Sequence, residues 1–156
     1  MKTTVQTRRD ELKIKLEKIK DDRKKTTVER IDKNLTDLSN RMTTHYGKVI
    51  DQIADVLKRV ISRTDTAQAN GRDVTAARTA ITNGQNAIAT ARAAVVAQVS
   101  KVYSLNITSD TALKSNVGVA RQALRDDLKK VGDSVKAARD TVRQATVSLA
   151  QIRGGD

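Results

Sequence analysis

The sequence predicts an all-α fold: an elongated antiparallel three-helix bundle, or coiled coil, with a long and partly protruding N-terminal helix. Three observations carry this. Among 156 residues there is no Pro, Cys, Phe or Trp, and there are two Tyr. Average usage would give about eight prolines in this length, and strand-rich folds use Pro and aromatics to punctuate and pack their sheets. Apolar residues recur at steps of three and four, the mark of one face of a helix, in three long runs. Two short stretches, at Asn70-Gly71 and from Tyr103 to Asp110, divide those runs.

The first helix is predicted from about residue 4 to 68. Its clearest face is Val28, Ile31, Leu35, Leu38, Met42, Tyr46, Val49, Ile53, Val56 and Val60. The two steps of four at Leu38, Met42 and Tyr46 locally relax a supercoil. Before Val28 the face is thin: Val5, Leu12, Leu16 and Ile19 belong to it, but Arg23 and Thr26 stand where it should continue. Glu11 to Lys15, Asp21 to Lys25 and Glu29 to Lys33 are acid-before-base pairs four residues apart, each worth about 0.2–0.5 kcal/mol on a helix surface. Asn70-Gly71 ends this helix, because Gly takes the left-handed conformation of a C-terminal cap. Asp73 then favours the next N-terminus.

The second helix is predicted near 72–103, with Val74, Ala77, Ile81, Gly84, Ile88, Ala91, Val95, Gln98 and Val102 in heptad register. Small residues dominate this face. Since burial is worth about 25 cal/mol per Å², such a helix depends on its neighbours. The β-branched and polar run from Tyr103 to Asp110 ends it, and Thr108 or Ser109 can cap the third helix. That helix shows Leu113, Val117, Ala120, Leu124, Leu128, Val131, Val135, Ala138, Val142, Ala145, Leu149 and Ile152 on one side. Gly154-Gly155-Asp156 frays its end.

At 1.5 Å per residue the first helix would be roughly 95 Å long and the second about half that. Pairing the second back along the first reaches down to about residue 36. The expected organisation is therefore a charged helical extension over 1–35, a three-helix bundle over 36–153 and a tail at 154–156. Residues 4–41 either protrude or fold back as a fourth helix after a break at Thr43-Thr44-His45-Tyr46-Gly47. Their scarcity of core residues favours protrusion.

Thirty Lys and Arg against eighteen Asp and Glu give a formal charge of +12. The excess is smeared, at +5 over 1–33, +1 over 34–66, +3 over 67–120 and +3 over 121–156. A polyanion site would comprise Arg8, Arg9, Lys13, Lys15, Lys18, Lys20, Arg23, Lys24 and Lys25. Interleaved acids make the same segment read as a solvated helix surface. With Tyr46 and Tyr103 the only aromatics, stacking platforms for bases are missing, which leaves salt-dependent, sequence-blind attraction.

Without Cys, thiol catalysis, disulfides, Cys-type zinc sites and iron–sulfur clusters are excluded. His45, beside Tyr46 at the stutter, is a candidate proton donor or pH-sensitive group, but no nucleophile is visibly arranged with it and it reads as a partly exposed helix residue. Asp21-Asp22 and Asp126-Asp127 diverge by about 100° around a helix, so neither makes a cation cage, and no EF-hand loop is present. Three Glu in the charged segment give no paired-carboxylate site, and seven scattered Gly give no phosphate loop. The expectation is no enzyme, no cofactor, no metal and no small-molecule substrate. Asn106-Ile107-Thr108 matches a glycosylation acceptor. No stretch approaches the ~18 apolar residues of a membrane span. Met1 to Arg9 lacks the apolar core of a secretory signal, which keeps the cytoplasm open as a location.

Several segments carry a resemblance: Arg8-Arg9-Asp10-Glu11-Leu12-Lys13, Ile19-Lys20-Asp21-Asp22-Arg23-Lys24-Lys25, Val28-Glu29-Arg30-Ile31-Asp32-Lys33 and Ala69-Asn70-Gly71-Arg72-Asp73-Val74-Thr75-Ala76. With Tyr103-Ser104-Leu105-Asn106-Ile107-Thr108 and Leu124-Arg125-Asp126-Asp127-Leu128-Lys129 it spans nearly the whole chain. In these the chain resembles a group of uncharacterised helical proteins from small-genome candidate-phylum bacteria (Patescibacteria). Members of that group begin with a signal peptide, so the resemblance implies export to the cell envelope or beyond. It implies no activity and no binding residue. The resulting expectation is a non-enzymatic structural or interaction protein, a helical spacer or scaffold. Its N-terminal half would engage another helix, from a second copy or a different protein. The alternative is a sequence-nonspecific binder of a polyanion: nucleic acid, an anionic envelope polymer or a lipid surface.

Overall fold

A computed structural model describes residues 4–17, 19, 21–105, 107, 109 and 111–153. Lys18 and Lys20 of the basic set, Thr108 as a cap, two members of the Asn106-Ile107-Thr108 triplet and the 154–156 tail lie outside the described residues. Among the described residues four helices form: α1 (Thr4–Leu16), α2 (Asp22–Ala69), α3 (Thr75–Val99) and α4 (Leu113–Arg153). The fold is an all-α bundle.

α2 ends in a Gly-dependent cap. Gly71 at φ 77° lets its N–H donate to Gln68 O at 3.0 Å and the Arg72 N–H donate to Ala67 O at 3.1 Å. These bonds satisfy carbonyls that a helix end leaves open. Asp73 accepts from the Thr75 backbone N–H and hydroxyl to start α3. Two ion pairs then fix the return path, Asp65 with Arg78 and Asp51 with Arg92. Both partners step two heptads in opposite directions, so α2 and α3 are antiparallel in one register. Exposed pairs contribute little energy; their value here is register. α4 runs parallel to α2. Tyr46 reaches the Leu128 carbonyl, and further along both helices Leu57 and Val142 converge on Gly84 of α3.

The buried face of α4, from Val117 through Leu124, Val131 and Ala138 to Leu149, coincides with its apolar period. So does that of α3 through Ala91, with buried Gln98 closing it. α2 departs from its pattern. Its buried stripe is Val28, Asp32, Leu35, Ser39 and Thr43, continuing through Ile50, Ile53, Leu57, Val60 and Thr64. Leu38 and Val56 are exposed instead. Thr43 and Thr64 satisfy their hydroxyls on their own helix, at Ser39 O (2.9 Å) and Val60 O (2.7 Å), which makes a polar residue tolerable inside.

α3 reaches down α2 only as far as Ser39, where Gln98 meets it. Below that level an extended segment takes its place. Tyr103, Leu105 and Ile107 are buried while Val102 and Ser104 are exposed, the alternation of an extended chain. Rising about 3.3 Å per residue against 1.5 Å for helix, a few residues line the lower ends of α2 and α4.

The N-terminal segment does not protrude, and α2 passes unbroken through Thr43–Gly47. Instead α1 ends at Leu16 and α2 starts at Asp22. Glu17 N donates to Ile14 O and Ile19 N to Leu16 O, tightening the last turn of α1. Asp21 then caps α2, accepting from Arg23 N at 2.9 Å; an unsatisfied N-terminal donor gains most from such an oxygen. The reason for folding back is burial: Leu12, Leu16 and Ile19 join Val28, Leu35, Leu105, Ile107, Val117 and Leu124 in one core cluster. Each fully buried aliphatic side chain contributes about 1.5–3 kcal/mol.

Candidate functional site

Where α3 gives way to the extended segment, polar side chains meet inside the bundle. Gln98, 1% exposed, donates through Nε2 to the Tyr103 hydroxyl at 2.6 Å and reaches Ser39 Oγ at 3.5 Å. The Tyr103 hydroxyl donates to Asp127 Oδ2 at 2.7 Å, and Lys101 Nζ lies 3.1 Å from Asp127 Oδ1. Burial pushes the Tyr103 phenol up to about 12, opposed by the Gln98 hydrogen bond and helped by Asp127. The Tyr103 hydrogen bond, then Lys101, holds Asp127 below the usual carboxylate range. Beside this cluster, Arg8 Nη2 donates to Asp32 Oδ1 at 2.6 Å and to Tyr103 O at 2.7 Å. One guanidinium thus joins α1, α2 and the extended segment. These groups satisfy one another; the junction is a clasp.

The adjoining hollow, about 320 Å³, has no carboxylate or imidazole among its described lining residues. His45 is exposed and lies against the Tyr46 ring, centroids 5.8 Å apart. Among the described residues no group of three or more His, Asp or Glu could hold a metal ion, and no helix is long and apolar enough to cross a membrane.

On the outer side of the same end, α2 and α4 leave a groove between them. Its larger part, about 720 Å³, has Val28, Ile31, Leu113, Val117 and Gly118 at its base, with Arg23, Lys24, Lys114 and Arg121 around them. It continues into a smaller part of about 230 Å³ bordered by Leu35, Leu38, Leu124 and Arg125. No carboxylate lines either part among the described residues. The displaced period of α2 explains the floor. With Asp32 and Ser39 in the inner stripe, Ile31 and Leu38 are turned toward this groove.

The structure divides the seven described members of the sequence reading's nine basic residues. Arg8 is turned inward, its side chain 11% exposed and paired with Asp32. Arg9 and Lys13 are exposed on α1, Lys15 is half-buried there, and Lys25 lies 3.9 Å from Asp22. Arg23 and Lys24 reach the groove, joined by Lys114, Arg121 and Arg125 of α4. Those three were missed, although steps of seven and four put them on one helix face. The chain matches no protein-family model, no curated protein and no solved structure.

Proposed function

We propose that the protein is a non-enzymatic helical interaction module, a rod that offers the α2–α4 groove at one end to another macromolecule. The groove is the observation that supports it. Aliphatic side chains left contiguous and open to water on a folded chain mark interaction surfaces more often than chance exposure. Here exposed Leu38 and half-buried Ile31 and Leu113 lie along the groove, beside Val28, Leu35, Val117 and Leu124, which are buried. A spacer or scaffold of the cell envelope fits this reading and the resemblance noted from the sequence. The test is a photo-crosslinking amino acid placed at Leu38, in the groove, and separately at Gln144, exposed on the opposite end of α4, in cells that make the protein natively. Crosslinks to a discrete partner from Leu38 and none from Gln144 are expected. Equal yields from both, or none from Leu38, would overturn the reading.

A second reading, sequence-blind attraction to a polyanion, draws on Arg23, Lys114, Arg121 and Arg125 of the same groove. It would appear as DNA or anionic-vesicle binding that weakens with salt and is indifferent to Leu38→Ser, which shortens the apolar floor without altering charge.

A further inference from the structure

We propose that the α2–α4 groove receives one acidic amphipathic helix of a partner protein, about four turns long; this rests on the interaction-module reading and names the partner's chemistry. Length is the first argument. From Arg23 to Leu38 α2 rises about 22 Å, and the groove runs that far. A four-turn helix with aliphatic side chains at intervals of three and four lays such anchors into a groove of this kind.

Charge is the second. Lys114, Arg121 and Arg125 follow one edge of α4, and Arg23 and Lys24 stand at the far end of α2. Arg23, Lys114, Arg121 and Arg125 form no ion pair among the described residues. About 16 Å of helix axis separates Lys114 from Arg125, so a single lipid headgroup cannot meet both. A second copy of this chain would set cations against cations in a two-fold interface. Nucleic acid would neutralise the cations but leave the aliphatic floor in water. Glutamates or aspartates spaced along the flank that faces α4, and at the end that meets Arg23 and Lys24, answer all these features.

The experiment uses the full chain and a fluorescent synthetic peptide of about fifteen residues, with leucines spaced three and four apart and glutamates along one flank and at one end. A scrambled peptide of the same composition is the control. Anisotropy titrations are expected to show the patterned peptide binding at least about tenfold tighter than the scramble, with helical circular dichroism gained on binding. Arg121→Glu with Arg125→Glu should weaken it about tenfold or more. The exposed pair Arg139→Glu with Arg143→Glu, on the distal rod, should change it less than about twofold. Leu38→Ser, which keeps every charge, should weaken it severalfold at low and high salt alike.

Equal binding of patterned and scrambled peptides, or displacement of the patterned peptide by duplex DNA from wild type and from the distal-rod variant alike, would overturn the proposal in favour of bare electrostatics. Absence of peptide binding with Leu38 crosslinks intact would overturn the acidic helix alone. Absence of both would remove the interaction module as well.

Discussion

Tyr103 shows how much of this fold rests on single protons. Its folded value of about 12 lies above the ordinary phenol value, so its contribution to stability is complete below about pH 10 and is lost between about pH 10 and 12. Asp127 is shifted the other way; its contribution is present above the usual carboxylate value and is lost as pH falls through the folded one. Urea unfolding across pH is expected to give a neutral plateau falling at both ends. Tyr103→Phe should remove the phenol's share of the alkaline fall while costing about 1–3 kcal/mol at neutral pH, because Gln98 and Asp127 lose a buried partner. At Gly132, a Cβ would lie 2.9 Å from the Tyr46 hydroxyl oxygen. Gly132→Ala should therefore destabilise by about 1–2 kcal/mol, although Ala is the better helix former by about 0.5–1 kcal/mol. In a Tyr46→Phe background the same change should be neutral or stabilising, read by denaturant melts. At this scale the sequence was legible in part. Arg8 looked like one surface cation among nine, since charge says nothing about facing and its partner Asp32 lies on another helix.

Elements were legible where side chains agree with their period and obscure where function or folding back interferes. α3 and α4 present their apolar period to the core, so their faces could be read directly. In α2 four polar residues occupy the inner stripe, each with a partner or its own helix to bond, while Ile31 packs only against the core's edge and exposed Leu38 imitates a core it does not enter. Residues 17–21 carry neither Gly nor Pro, and their one sequence signal was the lapse of the apolar seam at Arg23 and Thr26. α1 is held by its buried aliphatics and by the Arg8 clamp. Removing one member of a buried pair costs about 3–5 kcal/mol, but α1 can undock and return Asp32 to water, which limits the loss. Arg8→Ala is therefore expected to abolish hydrogen-exchange protection across α1 while leaving α3 amides protected. Equal loss in both would mean that α1 is integral to the rod.

At the scale of the whole molecule, length follows from α2, whose 48 residues rise about 72 Å. Small-angle scattering should give a radius of gyration of roughly 21 Å for such a rod, against about 15 Å for a compact chain of this size. The rod carries two cores in series, one built on three helices and one on two helices, an extended segment and α1. Tyr46 packs against both. The open groove belongs to the second core, the end where α3 is missing and α2 and α4 are left to each other on the outer side. The claim that this groove is the working surface is tested most directly by amide chemical-shift mapping as the acidic amphipathic peptide is added to labelled protein. Shifts confined to residues 23–38 and 111–125 are the expected result. Shifts spread along the rod wherever lysine and arginine are exposed would contradict it.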